Sequence, residues 1–153
     1  MPEDAYDLAL KALGYKERTE SELRGWLAER GVEDDEIEAV IALLAEVGAI
    51  DDADFARRFA ADKRLLAGWG PDRIEVTLED RGVAREHIDA ALAGEDEGAL
   101  FERALSILLG RGMSCDSEVE RERALGLLVR RGFPLELAYD AVRAAERRLR
   151  EAA

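Results

Sequence analysis

The apolar residues of this chain recur at steps of three and four along most of its length. Two early segments show the spacing clearly: Leu23, Trp26 and Leu27, then Ile37, Val40, Ile41 and Leu44. Such spacing places the apolar side chains on one face of an α-helix. No segment sustains the two-residue alternation of a half-buried strand, so the pattern predicts an all-α protein.

Glycines divide this pattern at helix-length intervals, and a glycine commonly ends a helix because it adopts left-handed backbone torsions. The glycines that follow an amphipathic run are Gly14, Gly31, Gly48, Gly68, Gly82, Gly94, Gly110 and Gly132. These eight glycines would separate nine helices, which is the number we predict. Proline suits the first turn of a helix, and the three prolines that stand at such positions are Pro2, Pro71 and Pro134.

Side chains that cap helices support two of the predicted starts. Thr19 followed by Glu22 has the spacing of a capping box, in which each residue satisfies the backbone amide of the other. Either Asp51 or Asp52 is placed to cap the fourth helix.

Five positions recur three times in the same register. Leu27, Gly31, Val32, Ile37 and Ile41 are matched by Leu78, Gly82, Val83, Ile88 and Leu92, and again by Leu128, Gly132, Phe133, Ala138 and Val142. An arginine precedes each glycine (Arg30, Arg81 and Arg131), where a cation suits the end of a helix. A period of about 50 residues that holds three helices indicates a repeat array, in which each unit buries a face partly against the next.

We therefore predict three tandem three-helix repeats at residues 4–48, 51–93 and 95–150, arranged as an elongated or curved helical array. A chain of 153 residues has room for such a short array but not for two large independent domains. Charged residues make up 37% of the chain, which fits long solvent-facing helices better than one thick core.

The net charge of −13 disfavours a simple electrostatic nucleic-acid binder, because phosphates repel an acidic surface. The charge is uneven: residues 1–50 hold thirteen acids against five bases, whereas residues 95–153 hold twelve against ten. The chain has no apolar stretch of membrane-spanning length. Its N-terminus is acidic, unlike a secretion signal, and it contains a single cysteine. We expect a cytoplasmic protein without a disulfide.

Residues that would supply catalysis or bind a metal are scarce. The chain contains one histidine, His87, and one cysteine, Cys115, which are too few for a common metal cluster or a nucleophile with its base. The acids from Asp34 to Glu38 stand at a helix start, where they favour the dipole. We expect no catalytic residue, no metal and no cofactor, and therefore a protein that is not an enzyme.

Two basic regions are the candidate binding surfaces. In one of them, Trp69 lies in a glycine-flanked turn, either as a lid on the core or as an exposed contact. The candidates around this turn are Arg57, Arg64, Trp69 and Arg73, and those in the last helix and its approach are Arg130, Arg131, Arg143, Arg147, Arg148 and Arg150. Solvated faces that bind nothing are an equal alternative for both regions.

The central part of the chain resembles the RecX regulatory proteins. The residues that carry the resemblance are Ile50 to Ala56, Arg64, Gly68 to Ile74, Leu78 and Arg81 to Val83, with Arg18, Ser21, Glu22 and Leu23 before them and Arg130 to Phe133 after them. The order and spacing of these residues carry the resemblance, which extends from about residue 5 to residue 142.

The resemblance implies a helical-repeat protein that binds the RecA recombinase, or the filament that RecA forms on single-stranded DNA. RecX proteins lodge in the filament groove and usually inhibit filament growth, ATP hydrolysis and strand exchange. We expect a monomer with no membrane partner. A different class of function stays open: three-helix units resemble helix-turn-helix modules, which could place a helix against DNA.

Overall fold

The computed structural model describes residues 4–152, and within that range it contains nine α-helices and no strand. This confirms the all-α prediction. The helices are α1 (Ala5–Tyr15), α2 (Glu20–Glu29), α3 (Asp34–Glu46), α4 (Asp52–Asp62), α5 (Pro71–Asp80), α6 (Arg85–Leu92), α7 (Glu97–Gly110), α8 (Glu118–Arg130) and α9 (Leu135–Ala152). A five-residue π-helix, Lys63–Ala67, continues α4. None of the described helices is long and apolar enough to cross a membrane.

The predicted caps are present where the structure describes them. The Thr19 hydroxyl accepts the Glu22 amide, and the Glu22 carboxylate accepts the Thr19 amide, which completes the capping box. Asp51, rather than Asp52, caps α4 by accepting the Asp54 amide at 3.0 Å. Pro2 lies outside the described residues.

Two of the predicted helix ends are misplaced by a residue or two. Gly14 lies inside α1, which continues to Tyr15. Gly110 is the last residue of α7, and the left-handed residue is Gly112, with φ of 66°. In both places the helix includes the glycine instead of ending before it, because a helix tolerates a glycine in its last turn. These glycines therefore mark the helix ends only to within one or two residues.

The three repeat-equivalent turns have the same backbone structure. Gly31, Gly82 and Gly132 have φ of 79°, 79° and 97°. In each turn the amide of the residue after the glycine donates to the carbonyl of the repeat leucine, at 3.2 Å from Val32, 3.1 Å from Val83 and 3.0 Å from Phe133. This six-to-one bond is the mark of a Schellman cap. The repeat found in the sequence is therefore a repeat of structure.

By packing, the chain divides into two compact units rather than three. The first unit comprises the chain up to Arg58 together with Leu78–Ala91, and the second comprises Phe59–Thr77 together with Leu92 onward. Helices α4 and α5 each contribute residues to both units. The boundaries of the three repeats stay a prediction.

The first unit has an apolar core from α1, α2 and α3, in which Leu23, Leu27 and Leu44 are fully buried. The start of α2 also contacts the turn after α5. There the Thr19 hydroxyl donates to the Arg81 carbonyl at 2.7 Å, and the Arg81 guanidinium pairs with Glu22 at 2.9 Å.

The second unit has its core between α7, α8 and α9, in which Leu108, Leu128 and Phe133 are buried. Here the start of α5 contacts the turn after α8. The Gly70 amide donates to the carbonyl of Arg131 at 2.7 Å, and the Asp72 amide donates to the carbonyl of Gly132 at 2.9 Å.

Candidate functional site

The turn that carries Trp69 follows a helix end that is wider than an α-helix. At the close of the π-helix, the Lys63 carbonyl accepts the amides of both Gly68 and Trp69. Gly68 has φ of 66°, a left-handed conformation that glycine adopts without strain. The chain then passes directly into α5 at Pro71, so the position of Trp69 is fixed from both sides.

Trp69 is half-buried and has cations close to its ring. The Arg73 guanidinium lies 4.1 Å from the ring centroid and the Lys63 ammonium 4.7 Å from it, while Phe59 meets the ring edge-on at 6.2 Å. The Arg103 side chain donates to the Trp69 carbonyl at 2.7 Å. Trp69 is thus neither a buried lid nor a bare contact but the centre of a group of cations and aromatic rings.

Arg64 and Arg57 have different surroundings, and only Arg57 is exposed. The Arg64 side chain is 15% exposed and lies 3.5 Å from the carboxylate of Glu95. Burial lowers the pKa of Arg64 despite the attraction of that carboxylate. The Arg57 side chain is 69% exposed and pairs with Asp54, whose pKa is lowered by hydrogen bonds from Arg58 and Arg57. Of these two candidates around the Trp69 turn, only Arg57 is therefore available on an exposed surface.

The four basic residues of α9 are exposed. Arg143 pairs with Asp140 at 3.3 Å, and Arg150 pairs with Glu146 at 2.6 Å. Arg147 and Arg148 form no ion pair with any described residue. These two arginines are the least neutralised cations of the helix.

The remaining two candidates, Arg130 and Arg131, differ in exposure. Arg130 is exposed, and its guanidinium lies over Gly126 of its own helix. Arg131 is half-buried, and its guanidinium lies against Gly68 in the turn before Trp69. The second unit therefore brings Arg131 to the turn that carries Arg64, Trp69 and Arg73, which the distance of Arg131 along the sequence did not reveal.

The structure gives little support for chemistry at His87 or Cys115. His87 is half-buried, and its Nε2 atom lies 3.8 Å from the Glu86 carboxylate. The Cys115 thiol is fully buried, and burial raises its pKa, so it is a poor nucleophile. Within residues 4–152, no three acidic, histidine or cysteine side chains are grouped to hold a metal ion.

Sequence reasoning missed Arg103, Leu65 and Leu66. Arg103 is 34 residues from Trp69, and a distant side chain that donates to a backbone carbonyl leaves no local pattern. Leu65 and Leu66 did carry a signal, because two leucines stand where the exposed face of α4 would continue. Their side chains are 83% and 80% exposed.

Comparison with protein families gives two matches along the chain. The first three-helix domain of RecX matches residues 5–44, and the second three-helix domain of RecX matches residues 51–92. The two matched segments correspond to the first two predicted repeats.

Individual relatives extend the similarity to most of the chain. The regulatory protein RecX of Mycolicibacterium vanbaalenii is 38% identical over 151 residues, which cover 93% of this chain and 82% of that protein. The regulatory protein RecX of Mycobacterium avium is 38% identical over 144 residues, which cover 92% and 83%.

Two crystal structures share the fold. RecX from Lactobacillus salivarius superposes with a TM-score of 0.81 at 21% identity, over 93% of this chain and 94% of that one. A second regulatory protein RecX superposes with a TM-score of 0.75 at 24% identity, over 92% and 70%.

Proposed function

Because the chain belongs to the RecX family, we propose that it is a regulatory protein that binds the RecA recombinase on single-stranded DNA and inhibits it. The observation that carries the proposal is the extent of the similarity, which takes in most of this chain and of its relatives. In such a mechanism the protein performs no reaction itself. It lodges in the filament groove and opposes filament growth, ATP hydrolysis and strand exchange.

The charges of the exposed surfaces support binding to another macromolecule. The protein as a whole is acidic, with a net charge of −13, yet Arg147 and Arg148 form an exposed basic pair on α9. Lys63 and Arg73 add a second positive region around Trp69. Such regions speed association with an acidic surface and orient it, because opposite charges steer the encounter.

Measurement of the DNA-dependent ATPase of the cognate RecA tests the proposal. We expect ATP turnover to fall when this protein is added at or below the concentration of RecA, because one molecule in the groove touches several subunits or stops growth at an end. The protein alone should hydrolyse no ATP. Unchanged turnover and unchanged filament length, with the protein in excess, would rule the function out.

One observation favours direct binding to nucleic acid as a second function. The Trp69 ring lies beside Lys63 and Arg73, and aromatic rings with cations form many single-strand binding sites. Affinity for bare single-stranded DNA and for RecA-coated DNA, each measured across a salt series, separates the two functions. Tight binding to bare DNA with a steep salt dependence would favour the second.

A further inference from the structure

Leu65 and Leu66 are neighbouring leucines that are almost fully exposed, at 83% and 80%. On the same side of the preceding helix stand polar residues, among them Arg58 and Asp62, both exposed. A single exposed leucine is ordinary, but two adjacent ones at the end of a polar face expose a patch that another surface would cover.

The backbone holds these two leucines in place. They lie in the π-helix Lys63–Ala67, a form of helix that is rare and frequent at functional sites. Beside them, the Arg64 side chain turns inward, where it donates to the Leu92 carbonyl at 3.3 Å and lies 3.5 Å from the Glu95 carboxylate. The leucines are therefore presented outward by an anchored segment.

Next to the two leucines is an open cleft of about 730 Å³. Its walls come from the π-helix, from α7 and from the turn after α8. The described residues that line it include three arginines and no carboxylate; the side chains that matter here are Arg64, Leu65, Leu66, Arg103, Ile107 and Arg131. The cleft thus combines apolar side chains with positive charge.

The positive charge of the cleft is only partly neutralised by the protein itself. Arg64 and Arg103 share one carboxylate, that of Glu95, at 3.5 Å and 2.7 Å. Arg131 has no ion pair with any residue in the described range. Burial lowers the pKa of Arg64, and repulsion from Arg103 acts in the same direction, against the attraction of the Glu95 carboxylate.

We infer that this cleft binds an acidic segment of a partner protein, whose carboxylates pair with Arg131 and whose apolar side chains cover Leu65 and Leu66. The inference rests on the proposed function, which makes the recombinase the partner. Charge complementarity selects an acidic peptide. A second copy of this chain fits less well, because two molecules of net charge −13 repel each other. A nucleic acid fits less well because aliphatic side chains offer no stacking surface.

The first test measures binding to the RecA filament by the wild type and by Leu65→Ser/Leu66→Ser, Arg131→Glu and their matched controls. Leu135→Ser with Val119→Ser removes exposed apolar side chains elsewhere, and Arg111→Glu reverses an exposed charge elsewhere. We expect the leucine variant to bind about tenfold more weakly, since burial of even part of two leucines stabilises a complex that much. Arg131→Glu should bind more weakly and with a smaller salt dependence.

The second test uses overlapping fluorescent peptides that cover the cognate recombinase, with anisotropy as the readout. We expect the peptides that bind the wild type to be acidic and to contain large apolar residues, and we expect Leu65→Ser/Leu66→Ser to abolish their binding. Preference for basic or uncharged peptides would overturn the inference. So would a loss of affinity for bare single-stranded DNA, or of self-association in sedimentation, caused by the leucine variant.

The outcomes distinguish the inference from the proposed function. If the wild type binds and inhibits the filament while the cleft variants behave like their controls, the inference is wrong and the function stands. If the wild type neither binds nor inhibits, the proposed function fails, and the inference fails with it. Circular dichroism checks that each variant is folded, which we expect for Leu65→Ser/Leu66→Ser because both side chains are exposed.

Discussion

The turns at Gly82 and Gly132 are equivalent positions of consecutive repeats, and each contacts the start of a helix from the repeat before it. The contact at Gly82 is made by side chains. The Thr19 hydroxyl donates to the Arg81 carbonyl, and the Arg81 guanidinium forms two hydrogen bonds with the Glu22 carboxylate. The side chains of Thr19, Glu22 and Arg81 make these hydrogen bonds, so each can be removed by a separate substitution.

The contact at Gly132 is made by the backbone. The Gly70 and Asp72 amides donate to the carbonyls of Arg131 and Gly132. Such close approach requires that side chains be absent: a Cβ on Gly70 would lie 2.5 Å from the Gly132 carbonyl, and a Cβ on Gly132 would lie 2.5 Å from the Arg73 amide nitrogen. The contact at Gly82 is thus held together by side-chain hydrogen bonds, whereas the contact at Gly132 is held together by backbone hydrogen bonds.

The largest expected effect comes from alanine at the three repeat glycines. Gly31→Ala adds only the strain of its left-handed torsion, about 1 kcal/mol, because no atom lies within 4 Å of the new Cβ. Gly82→Ala also meets the Ser21 side chain, and Gly132→Ala also meets the Arg73 backbone, which moves less readily. We expect Gly132→Ala to lower the free energy of unfolding most, by roughly 3 kcal/mol or more, in urea titrations followed by circular dichroism.

Gly25→Ala is the control for this series, because Gly25 lies within α2 with open space around it. Alanine is the better helix former, so this change should raise the free energy of unfolding by about 0.5–1 kcal/mol. Equal losses at Gly31 and Gly132 would mean that torsional strain alone sets the cost and that the backbone contact contributes nothing.

The second prediction concerns Thr19, which is fully buried. Thr19→Val keeps the volume of the side chain but loses the hydrogen bond from the Glu22 amide and the one to the Arg81 carbonyl. We expect the free energy of unfolding to fall by about 2 kcal/mol, since a lost cap and an unmet buried acceptor each cost about 1 kcal/mol.

Ser117→Ala supplies the comparison for Thr19→Val. Ser117 caps α8 by accepting the Glu120 amide, and the described residues give its side chain that bond alone. Its loss should cost about 1 kcal/mol. A Thr19→Val cost no greater than the Ser117→Ala cost would show that the bond to Arg81 adds no stability.

The contrast between the two turns also shows how far the sequence predicts the structure. Periodicity and the repeated glycines predicted the helices, because these patterns act over one or two turns of chain. The bond from Thr19 to Arg81 joins residues 62 apart, and its partners have no fixed spacing that would reveal it. The capping box at Thr19 was predictable, but not the second bond that the same hydroxyl makes.

The candidate site was predicted less fully than the fold. The sequence identified the basic residues near Trp69 as candidates for a binding surface, but it did not show that Arg64 is mostly buried. The structure turns Arg64 inward because Glu95, from a later segment, supplies a carboxylate that offsets the burial of its charge. The π-helix that presents Leu65 and Leu66 has no sequence signature, since its wider turn depends on the Lys63 carbonyl accepting two amides.

A smaller effect is expected from pH at the side-chain contact. Burial acts to raise the pKa of Glu22, but hydrogen bonds from Arg81 and from the Thr19 amide outweigh it and bring the pKa below its ordinary value of 4.5. A carboxyl with a lowered pKa stabilises the fold fully above its ordinary pKa, and this stability is lost as pH falls through the lowered value. Glu22→Gln should therefore lose less stability than the wild type between pH about 7 and about 3.

The comparison of Glu22→Gln with the wild type is needed because Asp52 changes the stability in acid in the direction opposite to Glu22. Burial raises the pKa of Asp52, so its protonation in acid favours the folded state. Both proteins contain Asp52, and the difference between their urea titrations cancels its contribution. An identical loss in the two proteins would remove Glu22 from the acid sensitivity of this contact.

The smallest change in stability is expected at the arginines of α9. This test distinguishes arginines that stabilise the fold from arginines that are available to a partner. Arg147 and Arg148 are exposed and form no ion pair in the described part of the chain, unlike Arg81. Arg147→Glu/Arg148→Glu should change the free energy of unfolding by no more than ~0.5 kcal/mol. The same variant should bind the RecA filament more weakly, through slower association and a smaller salt dependence, because the charges that steer an acidic partner are reversed.

The control variant Arg111→Glu/Arg123→Glu makes the same change in net charge at other exposed positions. If both double variants lose affinity equally at two salt concentrations, net charge alone governs the encounter, and the α9 surface is not part of the binding site.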